Sequence, residues 1–147
     1  MVIYTIGFTK KSAREFFESI CTKDIQLLID IRLNNTSQLS GFSKGNDLEY
    51  FLEKICSVKY QHDLLFSPTK AILDDFKSGK IDWLQYEKYF TTLMQERNAI
   101  SHFIERYSTY QTICLLCSER TAKLCHRRLV AEMLEKSLEG TIIKHIT

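Results

Sequence analysis

Proline and glycine are scarce in this sequence, with one proline and five glycines in 147 residues. That leaves little room for a flexible linker, and neither an internal repeat nor a low-complexity tract is present. Long hydrophobic runs are also missing. No apolar stretch approaches the ~20 residues of a membrane helix, and no charged leader precedes an apolar segment at Met1-Val2-Ile3-Tyr4. No membrane association or signal peptide is expected. The net charge of +2 is too small to announce a nucleic-acid partner, so any basic surface has to be local. The five cysteines are odd in number and lack dense framework spacing, which predicts a reduced, cytoplasmic protein with five free thiols. A hydrophobic content of 44% suits a single domain with one core over residues 1–147.

Apolar periodicity then gives the order of elements. Val2 to Ile6 reads as a strand closed by Gly7, and Ser12 with Glu15 three residues on opens a helix that buries Phe16, Phe17 and Ile20. Ile25 to Ile31 is a second strand, with Asp30 and Arg32 at its carboxyl end. The polar segment from Asn34 to Gly45 is long for a loop in a compact domain. Asn46 or Asp47 is expected to cap the next helix, with Leu48, Phe51, Leu52 and Ile55 as its apolar stripe. Val58 to His62 is a short third strand. Ser67-Pro68-Thr69 opens a helix near Lys70 to Lys77, and Asp82 starts another with Trp83, Tyr86, Phe90, Leu93 and Met94 at helical spacing, a core stripe rather than a base-stacking platform. Residues 111–117 form a buried strand, Leu124 to Leu138 a helix stopped by Gly140, and Thr141 to Ile146 a last strand. Alternation of strands and helices predicts an α/β fold: a mostly parallel sheet of about five strands with helices on both faces.

Chemistry concentrates where strands end. Gly7, Asp30 with Arg32, His62, and Cys117-Ser118-Glu119 all follow predicted strands, and in a parallel sheet those ends share the rim where such folds bind ligands. After the last of them a helix opens with Cys125-His126-Arg127-Arg128, whose first-turn amides favour an anion. Cys114 and Cys117 have zinc-knuckle spacing, but a strand sends residues three apart to opposite faces, and Cys114 reads as core. A zinc set, the less favoured reading beside no cofactor at all, has to be anchored on Cys117, Cys125 and His126. A thiol-phosphatase loop fails, because the sixth residue after Cys117 is Lys123 rather than arginine. His102 and His145 have no supporting context and read as surface residues.

Tyr4-Thr5-Ile6-Gly7, Leu28-Ile29-Asp30-Ile31-Arg32, Gly41-Phe42-Ser43-Lys44, Tyr60-x-His62 and Leu116-Cys117-Ser118-Glu119 with Cys125-His126-Arg127 occur in that order. Together they resemble the domain of unknown function 488 family over nearly the whole chain. The resemblance implies a compact α/β domain with its polar residues gathered around the two cysteines, and implies no established activity. The family pattern has a proline where this chain reads Asn34-Asn35-Thr36-Ser37, and Leu-Gly where it reads Leu64-Leu65-Phe66-Ser67. Both departures bear on the pocket rather than the fold.

Three functions compete on these residues. In the first, an enzyme acts on a nucleotide, nucleic acid or other anionic substrate. Arg32, Lys44 and Arg127 hold the anion, Gly7, His62, Ser118 and His126 contact substrate, Asp30 or Glu119 is general acid or base, and Cys117 or Cys125 is nucleophile. Arg32 is alternatively a structural partner of Asp30 or Glu119. In the second, Lys44, Arg120, Lys123, Arg127 and Arg128 form a basic patch for nucleic acid or a protein. In the third, Cys117, Cys125 and His126 serve a redox or zinc-responsive role.

Overall fold

The computed structural model describes residues 1–36, 41–119 and 121–147. Five strands, β1 (Val2–Gly7), β2 (Leu27–Asp30), β3 (Lys59–His62), β4 (Thr112–Cys117) and β5 (Ile142–His145), form one sheet in the order β3-β2-β4-β1-β5. Every pairing is parallel. The chain is therefore α/β, as its alternating pattern requires.

Strand alternation divides the core in two. Ile3, Leu27, Ile29, Ile113 and Leu115 face one cluster, with residues of α4 (Trp83–Glu96), α5 (Ala99–Tyr107) and α6 (His126–Ser137). Ile6, Leu28, Cys114 and Leu116 face the other, with α1 (Ala13–Cys21) and α2 (Gly45–Phe51). The remaining helix, α3 (Lys70–Lys77), packs on α4. Both β2 and β4 are apolar in near-continuous runs because helices cover both faces.

Local signals set most helix ends. The Ser12 hydroxyl accepts from the Glu15 amide, Thr69 accepts from Ile72, and Asp82 makes a reciprocal capping box with Gln85. Gly140 follows α6 with φ +80°, a conformation glycine adopts without strain. The start of α2 is a correction: it opens one to two residues before Asn46 and Asp47, with Lys44 at its N-cap and no side-chain cap bond. Its end is another. The helix widens into a π turn over Leu52–Cys56, in which each residue advances less around the axis. The Ile55 side chain consequently leaves the apolar stripe and stands 56% exposed.

The same π turn carries Cys56 to Cys21 at the end of α1, and the two form a disulfide with a Cα–Cα separation of 4.8 Å. The expectation of five free thiols is overturned, and with it the cysteine argument for a reducing compartment. Sequence separation hides such a pair, since the two cysteines lie 35 positions apart. Cys114, Cys117 and Cys125 are the free cysteines among the described residues. Denatured, unreduced protein is expected to titrate with three thiols, rising to five after reduction; five without reductant would contradict the bond. No helix among the described residues is long and apolar enough to cross a membrane.

Candidate functional site

Strand register brings the predicted positions to one edge. Gly7 pairs with Cys117, and Asp30 pairs with Leu116 on one side and His62 on the other. Beyond that edge the side chains separate into parts that hold the fold and parts that face a cavity.

Gly7 belongs to the first kind. The chain leaving β4 folds back over it, so that a Cβ there would overlap the Glu119 carbonyl oxygen and lie 3.0 Å from Arg127 Nη1. Thr9 fastens the same turn, its amide donating to the Ser118 carbonyl at 3.1 Å and its hydroxyl at 2.5 Å. From the other side Arg127 Nη1 donates to the Glu119 carbonyl at 2.6 Å. Arg127 is wholly buried and lies outside the cavity lining, and this bond clamps the loop.

Asp30 is likewise used up. Its Oδ1 accepts from Arg32 Nε at 2.8 Å and from the Arg32 amide at 3.2 Å. Its Oδ2 accepts from Arg32 Nη2 at 2.8 Å and from the Tyr60 hydroxyl at 2.6 Å. A fully buried carboxylate with both oxygens occupied orients its neighbours. Burial works against the Arg32 cation, but the bond and charge of Asp30 outweigh it and raise its pKa. Burial and the adjacent Asp30 charge push the Tyr60 phenol up, keeping it a donor. Tyr60 was legible as a motif position only. Its function as a second donor to Asp30 needed the β2–β3 pairing.

Arg32 spends Nη2 also on the Ser43 carbonyl, at 2.6 Å. Its Nη1 is buried and has no hydrogen-bond partner among the described residues. His62 donates Nε2–H to the Arg32 carbonyl at 2.8 Å, fixing this segment from behind and away from the cavity lining. Lys44 does not line the cavity either.

The thiol centre lies on the α4–α6 side of the sheet. Cys117 continues the alternation of Ile113 and Leu115, opposite Cys114, whose burial pushes its thiol up to about 12. Cys125 is the N-cap of α6, and His126 is its first residue. His126 Nε2 lies 2.8 Å from the Ile31 carbonyl. A carbonyl only accepts, so Nε2 carries the hydrogen, and Nδ1 faces Cys117 Sγ, 3.5 Å away. The hydrogen bond from Cys125 lowers the Cys117 pKa against the opposing effect of burial. Burial, then the same bond and the Cys117 charge, raise that of Cys125 well above normal. Arg127 Nη1 reaches Cys125 Sγ at 3.6 Å. The three ligating atoms of Cys117, Cys125 and His126 lie within 4.8 Å of one another.

These groups form one end of a cavity of about 150 Å³. Arg32, Ser118, Glu119 and Asn34 add polar wall, while Leu73, Phe76, Trp83, Tyr86 and Leu124 make the apolar one. Trp83 stacks on Tyr86 at 5.0 Å between ring centroids. Only part of the aromatic stripe is therefore pure core: Phe90 and Met94 are buried, while Trp83 is half-buried at the cavity. Lys77, which no sequence signal singled out, also lines it. Where the family resemblance expects proline, Asn34 Oδ1 accepts from the Thr36 amide at 3.0 Å, a local turn of another kind.

Of the basic patch expected from the sequence, the two described arginines have partners within the fold. Arg127 is buried, Arg128 is engaged with Glu132 at 3.1 Å and Glu87 at 3.7 Å, and Arg120 lies outside the described residues. His102 is corrected from a surface residue to a partner of Asp63, at 2.7 Å, where Tyr107 also donates.

The profile of the family described as "Domain of unknown function DUF488" matches residues 12–134, most of the chain, and the chain belongs to that family. The match starts after β1 and ends within α6. No curated protein and no solved structure matches.

Proposed function

We propose that this member of the DUF488 family is an enzyme acting on a small anionic substrate, with nucleotides the best-fitting class. The anion meets Arg32, the planar ring lies along Trp83 and Tyr86, and the reacting group faces Cys117, Cys125 and His126. One observation carries the reading: Arg32 Nη1, on a residue only 2% exposed that lines the cavity, lacks a partner among the described residues. A buried donor without an acceptor is costly, and a bound phosphate or carboxylate oxygen would satisfy it. The uncapped first turn of α6 adds amides and a favourable dipole at the same end.

Trp83 is the only tryptophan and lines the cavity, so its fluorescence reports occupancy directly. Inorganic phosphate and nucleoside monophosphates are expected to change it saturably. Arg32→Lys keeps one charge but loses the guanidinium fork, so affinity is expected to fall about 10- to 100-fold, the equivalent of ~1.5–3 kcal/mol. Equal affinity in wild type and a folded Arg32→Lys variant would refute the site.

A further inference from the structure

We infer that Cys117, Cys125 and His126 bind a zinc ion whose fourth coordination position opens into the rim cavity. The inference deepens the reading above by naming the group at its reactive end, and rests on that reading only for what meets the fourth position.

The donor set is the first argument. Two thiols and an imidazole suit zinc, which is held tetrahedrally by sulfur and nitrogen. With Zn–S about 2.3 Å and Zn–N about 2.0–2.1 Å, a tetrahedral ion sets sulfur and nitrogen ligands about 3.6 Å apart. Cys117 Sγ and His126 Nδ1 are separated by 3.5 Å. All three ligand atoms lie within 4.8 Å, close enough for one ion to draw them in through side-chain rotation alone.

The surroundings are the second. Metal-bound histidine characteristically gives its other N–H to a carbonyl or carboxylate, which fixes the ligating nitrogen. His126 does this through the Ile31 carbonyl, leaving Nδ1 toward the thiols. Cys125 Sγ also has an N–H donor suited to a thiolate, Arg127 Nη1 at 3.6 Å. Exposures of 6% and 3% keep both sulfurs from bulk water.

The third argument separates an open site from a closed one. Structural zinc sites take four protein ligands, whereas sites with three leave a position for water or substrate. Among the described residues no fourth histidine, cysteine, aspartate or glutamate joins the set. All three ligands line the cavity that Arg32 also lines. An anionic oxygen held by Arg32 would thus reach a Lewis acid. Binding converts both thiols to thiolates and releases their protons to solvent.

The test uses the full chain, reduced and freed of metal, then loaded with zinc or cobalt(II). One zinc per chain is expected after gel filtration, together with thiolate-to-cobalt charge transfer and tetrahedral d–d bands in the cobalt form. Cys117→Ser and Cys125→Ser should each remove about half of the charge-transfer intensity. They should also weaken zinc by more than the about 10- to 100-fold typical of losing an outer-shell partner. Cys114→Ala, on the opposite face, should retain full stoichiometry. Inorganic phosphate should shift the d–d bands of wild type but not of Arg32→Lys. A folded, reduced wild type that takes up no zinc and shows no charge transfer overturns the metal site, as does an unchanged band in Cys117→Ser. Phosphate quenching of Trp83 in that metal-free protein would leave the anion reading standing. Cobalt bound through two thiolates but blind to phosphate overturns the open position.

Discussion

Asp30→Ala is expected to destabilise the protein by about 3–5 kcal/mol, because it strips the partner from a buried cation. Arg32 is 2% exposed and Asp30 is fully buried, so no water replaces the carboxylate. The loss extends beyond the pair. Tyr60 and the Arg32 amide both lose an acceptor, and the Ser43 carbonyl depends on a guanidinium that Asp30 no longer orients. At about 2–4 °C per kcal/mol for a chain of this size, the melting midpoint should drop by roughly 6–20 °C. Replacing both partners, as in Asp30→Leu with Arg32→Met, should recover much of the loss, since the pair owes its value to mutual compensation inside the fold. The double variant should still fail to bind phosphate. A single variant that melts within 2 °C of wild type would show that the guanidinium escapes to water, contrary to the geometry.

Gly7→Ala is the second large effect, for a steric reason. The backbone at Gly7 is not among the positive-φ residues, so conformation does not demand glycine there. Close approach does. The obstacle to a Cβ is a backbone carbonyl, that of Glu119, which Arg127 Nη1 holds from behind. A flexible side chain would give way cheaply; a clamped backbone does not. Overpacking of this kind costs about 1–3 kcal/mol or more, and the upper end is expected. Relief requires the turn after Cys117 to lift from β1, breaking the Thr9 bonds to the Ser118 carbonyl. Zinc affinity should fall along with stability, whereas an Ala variant with wild-type urea midpoint would mean the turn is free to move.

Much of the fold was legible because it is local. The apolar runs at Leu27–Asp30 and Thr112–Cys117, capping at Ser12 and Asp82, and the stop at Gly140 depend on residues within a turn or two of each other. The two-residue period of any strand placed Cys114 and Cys117 on opposite faces. Periodicity misled at Ile55, where a single π turn broke the phase it assumes, and the consequence was the unforeseen Cys21–Cys56 bond. The family resemblance located the polar positions, but not which of them face the cavity.

The sequence by itself determined the order of strands and helices, the face on which each strand residue lies, and the polar residues at the strand ends. Tertiary structure decided how those polar residues are used. Placing β4 between β1 and β2 set Cys117 beside Gly7 and brought the Ile31 carbonyl to His126, 95 residues away. The β2–β3 pairing delivered Tyr60 to Asp30 as a second donor to a carboxylate that reads as catalytic. Closure of the turn over Gly7 turned Arg127 inward, while Arg32 kept one buried N–H without a partner among the described residues. Periodicity reports which side of its own element a residue occupies, but a hydrogen-bond partner is chosen by whatever the fold brings near. Whether a polar group serves structure or ligand is therefore fixed only once the sheet is assembled.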